Sequence, residues 1–202
     1  MKSRKRLAVL LCLISVCFAG CGQAKVPETI EKSTIIVSDK GQITVHLVED
    51  FDKTYYDLSE LTAMARDEAA EYNKSKQKEE AEGVAVEQVE LLEPAKVKLT
   101  YRFGNWENYT EFNEGQFFYG TVNEADENGY LSGVSLKSVK DGSQMNEEQL
   151  KENGDRKLII TDADMDIYCP GKVIYISENA AVNEDGSVAA AKAEGLVYIL
   201  VK

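Results

Sequence analysis

The chain has 202 residues, with 23 Lys and Arg against 35 Asp and Glu, and a formal charge of −12. That length holds one domain or two small ones. With 44% hydrophobic and 29% charged residues, it is neither a disordered acidic tail nor a multi-span membrane protein, since only one segment is free of charge long enough to suggest a membrane.

That segment is N-terminal. Lys2, Arg4, Lys5 and Arg6 precede an apolar run over residues 7–19, too short to span a bilayer as a helix, so residues 1–20 read as a signal peptide. Its end, Phe18-Ala19-Gly20-Cys21, resembles the lipobox of bacterial lipoproteins. There, small residues precede a cysteine that receives diacylglycerol and becomes the new N-terminus. Phe18 stands where leucine is usual, and ordinary secretory cleavage or an uncleaved anchor are the alternatives. The expected lipidation site is Cys21.

Cleavage removes four cations and no acidic residue, taking the charge from −12 to −16. Such a surface is repelled by nucleic acid phosphates and anionic lipids, whereas a basic partner or divalent cations would be tolerated. The acidity also keeps an exported protein soluble. Of four cysteines, Cys12 and Cys17 leave with the signal and Cys21 carries lipid, so Cys169 has no internal disulfide partner. Lying after an apolar run and before Pro170-Gly171, it reads as a buried small hydrophobe. A nucleophilic role would need a base, and His46, the lone histidine, is distant in sequence.

Residues 21–32 read as a tether and 33–202 as one domain. Residues 33–37 and 43–48, around the Asp39-Lys40-Gly41 turn signal, predict a hairpin. His46 falls on the face opposite Ile43, Val45 and Leu47, which predicts a partly exposed strand residue. Asp57-Leu58-Ser59-Glu60 has the form of a capping box, with Tyr56 and Leu61 placed as a hydrophobic staple. Leu58, Leu61, Met64, Ala65, Ala69 and Tyr72 then make a helical stripe, lost after Tyr72.

Strands are expected at 84–92 and 96–103, the second with one buried and one wet face. An amphipathic segment at 106–113 leads to strands at 116–122 and 130–139, then a small helix at 146–152. The end is β-rich, at 157–161, 166–169, 172–177 and 195–201. The reading is an α+β fold, antiparallel and β-rich, with one main amphipathic helix on a sheet and one or two short helices.

Nine aromatics lie between Tyr101 and Tyr130. Two readings are open. Either Trp106, Tyr109 and Phe112 share a face that docks their helix on the sheet, or Trp106 and Tyr109 face water as a platform for sugar rings or a protein loop, with Asn105, Asn108 and Asn113 as hydrogen-bonding neighbours. Asp162-Ala163-Asp164-Met165-Asp166 opens like a calcium-binding loop but has Ile167 where glycine is needed and Val173 where glutamate is needed. It is a polar turn or a weak cation site at Asp162 and Asp164. Residues 183–187 read as a hairpin turn.

No cofactor or metal fingerprint and no nucleophile motif is present, and a single histidine removes most triads. The order of elements, with VEDFDKTYYDLSELTAMARDEAAEYN, YTEFNEGQFFYGTV and a terminal CPGKVIYISENAAV and GLVYILVK, resembles a group of lipoproteins from anaerobic Gram-positive gut bacteria. The resemblance implies a lipid-anchored location on the outer face of the cytoplasmic membrane and carries over no activity and no catalytic residue. The expected function is a non-catalytic interaction or assembly module of the cell envelope. A glycan- or small-solute-binding lipoprotein using the cluster around Trp106 is the alternative, and a carboxylate-dependent hydrolase the third reading.

Overall fold

Thr34–Val37 (β1) and Ile43–Asp50 (β2) form the predicted hairpin, in register from Thr34 opposite His46 to Val37 opposite Ile43. Gly41 takes φ 81° in its turn, a conformation that costs a residue without Cβ little. The computed structural model describes residues 25–92, 95–190 and 195–202; residues 1–20, which the sequence reads as a signal peptide, and Cys21 lie outside the described residues.

Leu58–Lys76 (α1) is the main helix. Asp57 caps it, its Oδ1 accepting from the Ser59 and Glu60 amides at 2.8 and 2.9 Å. The return bond from Glu60 that would complete the capping box does not form. The helix runs four residues past its apolar stripe and stops where Gln77 turns left-handed, with φ 53°. It buries Ala65, Ala69 and Asn73, so small side chains let it lie close to the sheet.

Val84–Leu92 (β3) and Lys96–Phe103 (β4) follow as an antiparallel pair, with a register shift between Val86 and Gln88. On β4, Val97, Leu99, Tyr101 and Phe103 face inward. Trp106–Asn113 (α2) and Phe117–Thr121 (β5) come next. The expected strand at 116–122 is cut short because Thr121 and Glu124 form a capping box that opens Val122–Glu127 (α3).

The expected strand at 130–139 reduces to Leu136–Ser138 (β6), for the stretch before it turns at Gly129 and Gly133 with φ 74° and 73°. Gln144–Met145 (β7) pairs with β6, and Glu147–Lys151 (α4) is capped by Asn146. The remaining strands are Lys157–Thr161 (β8), Asp166–Tyr168 (β9), Val173–Ile176 (β10), Ala180–Val182 (β11), Val188–Ala190 (β12) and Val197–Val201 (β13). The predicted turn at 183–187 joins β11 to β12.

Among the described residues these strands form two sheets, ordered β11-β12-β9-β1-β2-β4-β3 and β5-β8-β13-β10-β6-β7. Pairing is antiparallel except between β1 and β9. The fold is α+β and β-rich, as the sequence predicts. One core cluster joins Ile35, Ile43, Val45 and Ile167 of the first sheet with Ile159, Val197 and Ile199 of the second and Ala65 and Ala69 of α1. The second sheet's other face packs Leu158, Ile160 and Leu200 against α3 and α4 through Val122, Ala125 and Leu150. Period-two alternation on β8 and β13 therefore feeds two cores.

Candidate functional site

The aromatic-rich segment is mostly interior. Asn105 is the N-cap of α2, accepting from the Asn108 amide at 2.9 Å. Asn108 is fully buried: its amide donates to the Glu82 carbonyl at 2.6 Å, and its carbonyl oxygen accepts from Tyr72 at 3.2 Å and from Lys78. Tyr109 is 5% exposed, packed edgewise on Phe103 and Phe117 with centroids 5.3 and 5.1 Å apart. Burial, then the charge of Asp162, pushes its phenol up to about 12.

The docking alternative is the one this packing follows, and a water-facing platform containing Tyr109 and Asn108 is corrected. Eight residues make only two turns of helix, and a segment this short is stable because tertiary contacts cover most of it. Trp106 stays partly open. It meets Phe118 edge-on at 5.3 Å, with Tyr130 beyond, at a shallow pocket of about 290 Å³. Asn113 turns back to bond the Tyr109 carbonyl at 2.9 Å.

A more exposed apolar surface lies where α1 begins. Leu47 of β2 and Val97 and Leu99 of β4 continue the sheet's inner face past the end of the helix. Phe51, Tyr55, Tyr56, Leu61 and Met64 frame a cleft of about 330 Å³ above them. Tyr55 is 75% exposed and Met64 63% exposed. The rings support one another: Phe51 stacks on Tyr56 at 5.0 Å, and Tyr55 meets Tyr56 edge-on at 4.9 Å. Glu49, Asp50, Asp57 and Glu60 also line the cleft, and among the described residues no Lys or Arg does.

The sequence pattern places Tyr56 and Leu61 in a staple and Met64 on the apolar stripe of the helix. Met64 is instead left outside because Ala65 and Ala69 occupy the closest approach. The available signal was three aromatics within the six residues FDKTYY, outside any regular element.

Other polar groups are occupied structurally. His46 lies on the outer face of the first sheet, its Nδ1 3.0 Å from the Thr100 hydroxyl; burial, then Lys98, lowers its pKa. Cys169 is 4% exposed and belongs to the inner core, and burial raises its thiol to about 12. Asp162 accepts from the Gln116 amide at 2.9 Å, tying the β8–β9 turn to β5. Among the described residues, no group of three or more His, Cys, Asp or Glu could hold a metal ion.

Among the described residues, the carboxylates with displaced ionisation are Glu111, Glu124, Asp141, Glu147 and Asp185, and each is lowered, chiefly by hydrogen bonds. No helix among the described residues is long and apolar enough to cross a membrane. No family model matches the chain, and comparison with curated proteins and with solved structures finds no match.

Proposed function

We propose that the chain is a lipid-anchored envelope protein whose folded part is a non-catalytic interaction or assembly module, with the cleft at the start of α1 as its contact surface. The observation that carries this reading is the exposure of Tyr55, Tyr56 and Met64 above an apolar floor. Grouped exposed aromatics and methionine favour association, because their burial removes apolar area from water at about 25 cal/mol per Å².

The anchor at Cys21 is the second part of the reading. Two acyl chains, at ~0.8 kcal/mol per buried CH₂, hold a protein far more firmly than one. The Val48 amide donates to the Ser33 hydroxyl at 2.9 Å, which brings the chain's entry beside the end of β2 that lines the cleft. A tether from Cys21 would keep the cleft near the membrane, where a partner on the same membrane meets it at high effective concentration.

A photo-crosslinking residue at position 55, compared with one at the exposed Glu127 of α3, tests the contact surface in cells. A discrete adduct from position 55 alone is expected; equal labelling from both sites would sink it. For the anchor, Cys21→Ala should move the chain out of the membrane fraction.

The Trp106 pocket supports a second reading, small-solute or glycan binding. Its observation is the convergence of Trp106, Phe118 and Tyr130. Titration with cell-wall fragments should change the fluorescence of the lone tryptophan if this reading holds.

A further inference from the structure

We infer that the cleft at the start of α1 takes a basic peptide segment of a protein partner, with an apolar side chain seated between Tyr55 and Met64 and Lys or Arg side chains at the rim. The inference rests on the reading that this cleft is the contact surface, and it adds the partner's chemistry.

Charge decides the occupant. Four carboxylates line the cleft, and among the described residues no cation lines it. Asp50 is discounted because Lys96 stands opposite it across the β2–β4 ladder, and Asp52 nearby is paired with Lys53 at 2.9 Å. Glu49, Asp57 and Glu60 remain. The N-terminus of α1 contributes about half a positive charge, and only locally, so three carboxylates outweigh it. Asp57 already spends Oδ1 on two helix amides, yet its charge still faces the cleft.

An apolar floor under such a rim fits a ligand that is apolar in the middle and cationic at its edges. Exposed aromatic faces add a further attraction for Lys or Arg. A membrane surface is the competing occupant for exposed Tyr and Met, but anionic lipids would be repelled by the same carboxylates. The volume, about 330 Å³, sits at the low end of the roughly 300–1,000 Å³ typical of ligand sites. It suits an anchoring side chain or two, with the rest of the peptide lying over the rim.

The test is selection of random twelve-residue peptides on the full chain, followed by affinity measurement of selected peptides. The recovered peptides should be enriched in Lys and Arg beside Leu or aromatic residues. They should bind a Glu49→Gln, Asp57→Asn, Glu60→Gln variant about tenfold more weakly, or ~1.4 kcal/mol, the scale of three exposed charge contacts. Asn at position 57 keeps the cap, so the variant should fold normally.

Peptides without basic bias, or equal affinity for the charge variant, would overturn the inference. If such unbiased peptides still lose binding to a Tyr55→Ser, Met64→Ser variant, the contact surface stands and only the basic partner falls. If no peptide responds to either variant, both fall. Binding of the Cys21→Ala chain to phosphatidylcholine vesicles that depends on Tyr55 and Met64 would give the cleft to the membrane instead.

Discussion

Asn73 and Val84 exchange two hydrogen bonds. The Val84 amide donates to Asn73 Oδ1 and Asn73 Nδ2 donates to the Val84 carbonyl, both at 2.8 Å. The side chain acts as one more backbone partner for the first residue of β3, and so joins the C-terminal end of α1 to the sheet. A Cβ on Gly83 would come within 2.0 Å of the same Oδ1, so the neighbouring glycine is required by close approach.

Asn73→Ala should therefore destabilise the fold by about 2–4 kcal/mol, because it strands a donor and an acceptor at a residue with no solvent exposure. Asn73→Asp should not restore it, since a carboxylate has no donor for the Val84 carbonyl. Midpoints of urea unfolding measure both.

The cleft should behave in the opposite way. Tyr55→Ala and Met64→Ser remove exposed side chains and should change stability by no more than about 0.5 kcal/mol, while abolishing the position-55 adduct's partner in pull-down. A large fall in unfolding midpoint with either variant would assign these side chains to the core.

Asn108 gives a third contrast. The platform alternative puts it beside a binding surface, and it is instead a buried junction between the Glu82 carbonyl, Tyr72 and Lys78. Asn108→Ala should cost about 1–3 kcal/mol by leaving the Glu82 carbonyl without its donor. The variant's affinity for peptides selected on the cleft should be unchanged.

Stability should fall in alkali in a defined window. Burial is the leading cause that raises Cys169 from 9.0, and Tyr101 and Tyr109 from 10.0, each to about 12. Groups raised in the folded state leave stability intact below their unfolded values and remove it as pH climbs toward the folded ones, because the unfolded chain ionises first. The decline should begin near pH 9 and steepen above pH 10, toward about 12. Cys169→Ala should erase the part between pH 9 and 10; unfolding midpoints against pH, with phenolate absorbance followed in parallel, check it.

Local chemistry was readable wherever a segment's own pattern decided its state. The β1–β2 hairpin follows from alternation around a turn, Asp57 caps α1 because its oxygen can reach two free amides, and Cys169 is buried because it ends an apolar strand. The capping pair Thr121 and Glu124 was equally present in the sequence, but the apolar run before it concealed the start of α3. The β-rich α+β class follows from strand count and short turns.

Which apolar side chains are covered is a different kind of question, settled between segments far apart in sequence. Tyr109 and Met64 both sit on helical stripes, yet Tyr109 meets Phe103 and Phe117, whereas Met64 overhangs the end of the sheet. Periodicity gives the direction of a side chain relative to its own helix axis, not the extent of the surface that helix lies on. The sequence by itself determined the acidity, the β-rich α+β class and the elements whose own pattern fixes their state, such as the β1–β2 hairpin and α1. Only the tertiary structure decided that the Trp106 segment is largely core and that Phe51, Tyr55, Tyr56 and Met64 form the open apolar surface, because burial depends on where the neighbouring sheet ends.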